Sequence, residues 1–227
     1  MEREASRSRM FETAKSFQTI HNGVDTDLFM PCDKATAKRR LRLPTELPVV
    51  AFGAESLASR RKGFDQLLQA LPLIASGQSF TAIAFGEQHD VPQELASFEI
   101  RMLGFVKNEA ELAKIYAAAD VFVLPSLEEN LAQTGIEALA CGTPVVAFET
   151  GGNSDFVKSY QTGLSARTGD PSDLARQITW LLDHPDQMRR MGEQARRFAE
   201  REFNSNSQAE KYLAFYRSIV KDDVYDE

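Results

Sequence analysis

Cysteine is scarce in this chain of 227 residues: only Cys32 and Cys141 occur. Two thiols so far apart build neither a disulfide framework nor a cysteine-rich metal site. The histidines His21, His89 and His184 fall in no HExxH-like spacing. No apolar run reaches the roughly 18 residues of a membrane-spanning helix. The opening stretch MEREASRSRMFETAKSF is charged and has no apolar core of a secretory signal, so cytoplasmic residence is the expectation. An excess of basic charge is also missing. Lys and Arg number 26 against 33 Asp and Glu, a net charge of −7, which argues against a nucleic-acid partner. GxxxxGK[ST] and GxGxxG are both absent, so the chain is not a P-loop protein, and a dinucleotide oxidoreductase is disfavoured.

What is present is an ordinary globular composition, 43% hydrophobic and 26% charged, in a chain long enough to bury a full core without staples. Short apolar runs alternate with longer amphipathic stretches. Strands are predicted at LPVVAFGA (47–54), SFTAIAFG (79–86), EIRMLGF (99–105), DVFVLPS (120–126), PVVAF (144–148) and Gly163 to Ala166. Between them, Phe64 to Ser76 has apolar residues at helical spacing, with Pro72 predicting an early stop or a kink. A loop containing His89 and Pro92 precedes the third strand. Asn108 is placed to cap the helix over EAELAKIYAAA. Asn130 to Cys141 reads as a helix stopped by Gly142, and a short one follows Gly151-Gly152. Asp170-Pro171 opens a helix through Leu182, Pro185 another to about Arg201, and Ser205 to Val220 forms the last. Apolar strands alternating with helices predict an α/β fold. It is a doubly wound, Rossmann-like parallel sheet of about six strands, with C-terminal helices. Such sheets bind ligands at the carboxyl ends of their strands.

Two constellations carry chemistry. Arg60-Arg61-Lys62-Gly63 lies between the first strand and a helix. Cations beside a helix N-terminus suit a phosphate, and a glycine lets it approach; the same residues also suit a solvated basic loop. The second is PSLEENLAQTGIEALACGTPVVAF (125–148), with Glu129 and Glu137 separated by seven residues. If the helix begins at Asn130, Glu137 lies about 10–11 Å along its axis from Glu129. The amides of Asn130, Leu131, Ala132, Gln133 and Thr134 are then free donors for a diphosphate, and Glu137 can hold vicinal hydroxyls. An amphipathic helix with a solvated glutamate is the plainer reading.

Taken together, HNGVDTDLFMP (21–31), FGAESLASRRKGFDQLLQAL (52–71), LGFV (103–106), EALACGTPVVA (137–147), GGNSDFV (151–157) and GLSARTGDPSDLA (163–175) closely resemble glycosyltransferase family 4, over roughly residues 17–220. The match is to the C-terminal, donor-binding half of a GT-B enzyme. It implies residues 1–20 as a remnant of the preceding domain and hinge, 21–202 as the donor domain, 203–220 as a crossover helix and 221–227 as an acidic tail.

The resemblance implies retaining, metal-independent transfer of a hexose-type sugar from a UDP- or GDP-linked donor, with no other cofactor. Lys62 resembles the cation that neutralises the diphosphate. The family's upstream Gly-Arg reads Gly53-Ala54 here, so Arg61, or otherwise Arg60, is the expected second cation. Glu129 matches the glutamate that holds the transferred sugar. The usual Gly-Phe-Gly after it reads Asn130-Leu131-Ala132, whose side chains narrow the pocket. Glu137 matches the ribose-binding glutamate, and Phe105 and Val106 stand where the base is met. Asp25-Thr26-Asp27 is read as turn chemistry, not a metal site.

A whole family member has an N-terminal domain for a sugar or glycolipid acceptor, with peripheral membrane contact as a further expectation. This chain is therefore expected to bind the nucleotide sugar but transfer poorly alone. Phe203, Tyr212, Phe215, Tyr216 and Ile219 either pack on their own domain or leave an apolar face for self-association. Lys34, Lys38, Arg39, Arg40 and Arg42 read as a solvated face, and Arg189, Arg190, Arg196, Arg197 and Arg201 as surface partners of Glu193 and Glu200. Trp180 and Met188 read as core edge, and Cys141 as a buried small hydrophobe. The alternatives to a donor domain are a non-catalytic nucleotide-binding or interaction module of the same fold, or another GT-B-shaped enzyme such as an epimerase or phosphorylase.

Overall fold

The structure is a computed structural model that describes residues 7–14, 16–75, 77, 79–87 and 100–224. The loop expected to hold His89 and Pro92 lies outside them, as does the end of the acidic tail. Six strands form one parallel sheet: β1 (Val49–Ser56), β2 (Thr81–Glu87), β3 (Ile100–Met102), β4 (Val121–Leu124), β5 (Val145–Phe148) and β6 (Gly163–Ala166). Their order is β3-β2-β1-β4-β5-β6. The chain winds outward from β1 in one direction, then returns to β4 and winds the other way. The crevice between the carboxyl ends of β1 and β4 is the switch point.

The helices are α1 (Lys34–Arg40), α2 (Phe64–Ala75), α3 (Glu109–Ala118), α4 (Gln133–Ala140), α5 (Asn153–Phe156), α6 (Pro171–Asp183), α7 (Pro185–Glu202) and α8 (Ser205–Val224). The predicted Asn108 cap is formed, accepting from the amides of Ala110 and Glu111, and Asp170 also proves to be a cap, accepting from those of Ser172 and Asp173. Pro72 does not end α2, because Leu71 and Ile74 on either side of it are fully buried and hold the last turn.

Successive strand residues face opposite layers, so the sheet separates two cores. Val49, Ala51, Ile83, Phe85, Phe122 and Val145 pack with α3, α4 and α7 on one face. Val50, Phe52, Ala84, Val123, Val146 and Phe148 pack with α2 and α6 on the other. Trp180 and Met188 pack at the edge of the second core, as their sequence context predicts. Phe203 is buried, whereas Tyr212, Leu213, Tyr216, Ile219 and Val220 are exposed along α8. Among the described residues, no helix is long and apolar enough to cross a membrane.

Two of the basic surfaces differ from expectation. Lys38 is 5% exposed and pairs with Asp120 at 2.7 Å, while Lys34 pairs with the same carboxylate at 3.1 Å. Asp120 also accepts from the Val49 amide. This cluster ties α1 to the entries of β1 and β4. Arg39, Arg40 and Arg42 are exposed as expected. Arg196 pairs with Glu200 at 2.7 Å but also donates to the carbonyls of Thr26, Phe29 and Ala140. It fastens the 26–29 turn to the C-terminus of α4 and is only partly a surface residue.

Candidate active site at the sheet switch point

A cavity of about 420 Å³ opens at the carboxyl ends of β1 and β4. Its walls are Phe52 to Ser56, Ser59, Arg61 and Lys62 on the β1 side, and Leu124, Ser126, Glu129 and Leu131 to Thr134 on the β4 side. A larger groove of about 760 Å³ runs along α7 past Asp120 and Pro144. Those two residues precede β4 and β5, so that groove is at the amino ends of the strands, away from the switch point where open α/β sheets take ligands.

The basic segment is placed by tight local geometry. Arg60 to Lys62 form one turn of 3-10 helix, closed by Gly63 at φ +71°. A Cβ on Gly63 would fall 1.8 Å from the Pro125 carbonyl oxygen, so only glycine lets the basic turn lie against the end of β4. The amide of Leu127 donates to the Arg61 carbonyl at 2.8 Å and tightens the same contact. Arg61 and Lys62 thereby line the cavity, and Arg60, which is exposed, does not. Gly53 also lines it, and a Cβ there would overlap the Phe85 ring at 1.9 Å. Its small size therefore serves the packing of β1 on β2.

Lys62 and Glu129 form an ion pair across the cavity. Glu129 also accepts from Ser126 Oγ at 3.4 Å and from the Asn130 amide at 3.2 Å. The Asn130 amide is thus already engaged, which corrects its expected role as a free donor. The Asn130 carbonyl accepts from Gly152 at 2.7 Å, and this loop pairing delays the helix. α4 starts at Gln133, not Asn130, and the axial spacing expected between the two glutamates does not apply. The first-turn amides left without intrahelical acceptors include those of Gln133 and Thr134, and both residues line the cavity. The Gln133 side chain donates to the Gly23 carbonyl at 3.1 Å.

Glu137 lies one turn beyond Gln133 on the same helical face, outside the cavity's own lining. Its Oε2 accepts from the Tyr116 hydroxyl at 2.7 Å. Burial pushes the Glu137 carboxyl up from the ordinary range, the Tyr116 hydrogen bond opposes that, and the charge of Glu109 adds to it. Glu109, the first residue of α3, is near enough for its charge to act on Glu137, and Val106 precedes it by three residues. Val106 packs on the core and Phe105 is half exposed; neither lines the cavity. Asp25 Oδ1 accepts from the amides of Asp27 and Leu28, the turn chemistry expected of it. Cys141 is buried, and its thiol is pushed well up by burial and then by Glu137.

Sequence reasoning passed over Ser126 and Tyr116. Ser126 was detectable as the polar residue ending an apolar strand at the switch point. Tyr116 stood out less, but a tyrosine within an alanine-rich helix needs a partner for its hydroxyl when buried.

Comparison with known proteins agrees with this fold. The chain is 32% identical over 220 residues to D-inositol 3-phosphate glycosyltransferase 2 of Catenulispora acidiphila, which covers 88% of this chain and 50% of that protein. The chain thus spans about half the length of the curated relatives it matches. Sucrose-phosphate synthase from Thermosynechococcus elongatus superimposes with a TM-score of 0.83 at 29% identity, over 97% of this chain and 57% of that one. Anabaena HepE, solved with UDP and glucose, has the same fold, with a TM-score of 0.75 at 22% identity over 92% of this chain and 60% of that one. Residues 33–198 match the family described as glycosyl transferases group 1, and the chain belongs to that family.

Proposed function

We propose that this chain is the nucleotide-sugar-binding half of a retaining glycosyltransferase of the family 4 type, transferring a hexose from a UDP- or GDP-linked donor. The observation that carries the reading is the convergence of Arg61, Lys62, Glu129 and the start of α4 on one cavity at the switch point. The diphosphate occupies the cavity. Lys62 turns from Glu129 to the leaving phosphate, and Arg61 supplies the second cation in place of the arginine absent after Gly53. The amides of Gln133 and Thr134 add fixed dipoles. As the glycosidic bond breaks, negative charge grows on the diphosphate, and preorganised donors at that position stabilise it. Glu129 then faces the transferred sugar.

The nucleoside extends along α4, with its ribose at Glu137 and its base toward Phe105 and Val106. Asn130 and Ala132 present side chains where the family has glycines, and this narrows the sugar pocket. HepE, whose structure holds UDP and glucose, supports a uridine-type donor by analogy of fold. The acceptor is held by the part of such an enzyme that lies outside the half of its relatives' length spanned by these residues, so these residues by themselves bind donor and transfer poorly.

Calorimetric titration of the chain with UDP, GDP and UDP-glucose tests the reading. Saturable binding of a nucleoside diphosphate and its sugar conjugate, with little turnover, is the expected result. Absence of binding by all three overturns it.

A further inference from the structure

Tyr116 is completely buried in α3. Its ring meets Phe122 edge-on at 5.1 Å and Phe85 at 5.6 Å, and Phe29 closes the cage at 6.1 Å. Its carbonyl accepts from Thr143 Oγ1 at 2.7 Å, so backbone and ring are both fixed. A phenylalanine would fill that cage equally well. The hydroxyl is what distinguishes this residue, and it donates to Glu137 Oε2.

We propose that Tyr116 is a positioning residue for nucleotide recognition: it pins one oxygen of Glu137 so that the other is presented to the ribose hydroxyls of a nucleoside diphosphate. The proposal rests on the donor-binding reading above. Glu137 is a long, rotatable side chain, and ordering such a chain opposes binding if it happens only when ligand arrives. The caged phenol orders it on folding instead. Oε1 makes no hydrogen bond with any described residue, which leaves it as the acceptor for a hydroxyl. The same contact opposes the upward push that burial and the nearby Glu109 exert on the carboxyl, which stays raised on balance. Burial, followed by the Glu137 charge, holds the Tyr116 hydroxyl well above its ordinary range, so it remains a donor at neutral pH.

The test compares the chain with its Tyr116→Phe, Glu137→Gln and doubly substituted variants, titrating UDP and GDP and their 2′- and 3′-deoxy forms. The unaltered chain should bind at least one parent diphosphate and disfavour its deoxy forms. Tyr116→Phe should lose about tenfold in affinity for the parent, the scale of a hydrogen bond to a charged group. Its preference over the deoxy forms should fall toward unity. Added to Glu137→Gln, it should lose little more. A purely structural tyrosine would change melting temperature but not the deoxy preference.

Binding and discrimination in the unaltered chain, with discrimination intact in Tyr116→Phe, would overturn the positioning role alone. No binding of either parent by the unaltered chain would overturn the donor reading, and this inference with it. Should Tyr116→Phe fail to fold, a crystal structure of the unaltered chain with UDP or GDP decides. Glu137 must keep Tyr116 on Oε2 while Oε1 meets a ribose hydroxyl; a carboxylate turned away from Tyr116 contradicts the proposal.

Discussion

Lys62 and Glu129 are paired across the switch-point cavity, with Glu129 the more enclosed of the two, at side-chain exposures of 22% and 8%. A diphosphate entering the cavity must compete with Glu129 for the lysine. Glu129→Gln weakens the charge-assisted contact to a neutral one and should tighten UDP or GDP binding by about fivefold. Isothermal titration of the variant beside the unaltered chain checks this; weaker binding would mean that Glu129 itself contacts the nucleotide favourably.

Asp120 carries a pH-dependent share of stability. Burial alone would raise its carboxyl, but Lys34 and Lys38 outweigh that and hold it below its ordinary value. Because the folded pKa lies below the unfolded one, the pairing stabilises fully above the unfolded value and is lost as pH falls through the folded one. Asp120→Asn leaves Lys38 buried without its counter-charge and should destabilise by about 3–5 kcal/mol at pH 7. Denaturant midpoints measured from pH 7 into strong acid should show that gap closing only at the acid end.

Thiol reactivity should separate the two cysteines. Cys32 is exposed and Cys141 buried, with the Cys141 thiol held protonated by its surroundings. A chromogenic disulfide reagent should titrate one thiol in the native chain and two after denaturation. Rapid modification of both in the native state would contradict the packing beneath α4.

The fold was readable because the strands are short apolar runs and some helices carry their own caps, as Asn108 and Asp170 do. Those signals lie within a few residues of one another. The misread features depend on partners remote in sequence. Lys38 looks like one more charge on a basic helix face until Asp120 is brought beneath it. Asn130 looks like a helix start until Gly152 claims its carbonyl and Asn130's own amide turns to Glu129. Lys62 and Glu129 were legible as candidates because charged side chains at a strand–helix loop suit an anion site, and the fold brings the two into one cavity, with Glu137 outside its lining. Tyr116 escaped notice because a supporting residue declares itself only through the group it touches.

The central claim is that the cavity grips a nucleotide by its diphosphate. The most direct test is the affinity of the chain and of its Lys62→Ala variant for UDP and for uridine, or for GDP and guanosine, on samples shown to be folded by thermal melts. Lys62→Ala should weaken diphosphate binding by about 10- to 100-fold and leave nucleoside binding unchanged. Equal diphosphate affinity in the two proteins, or an equal loss for nucleoside and diphosphate, would contradict the account.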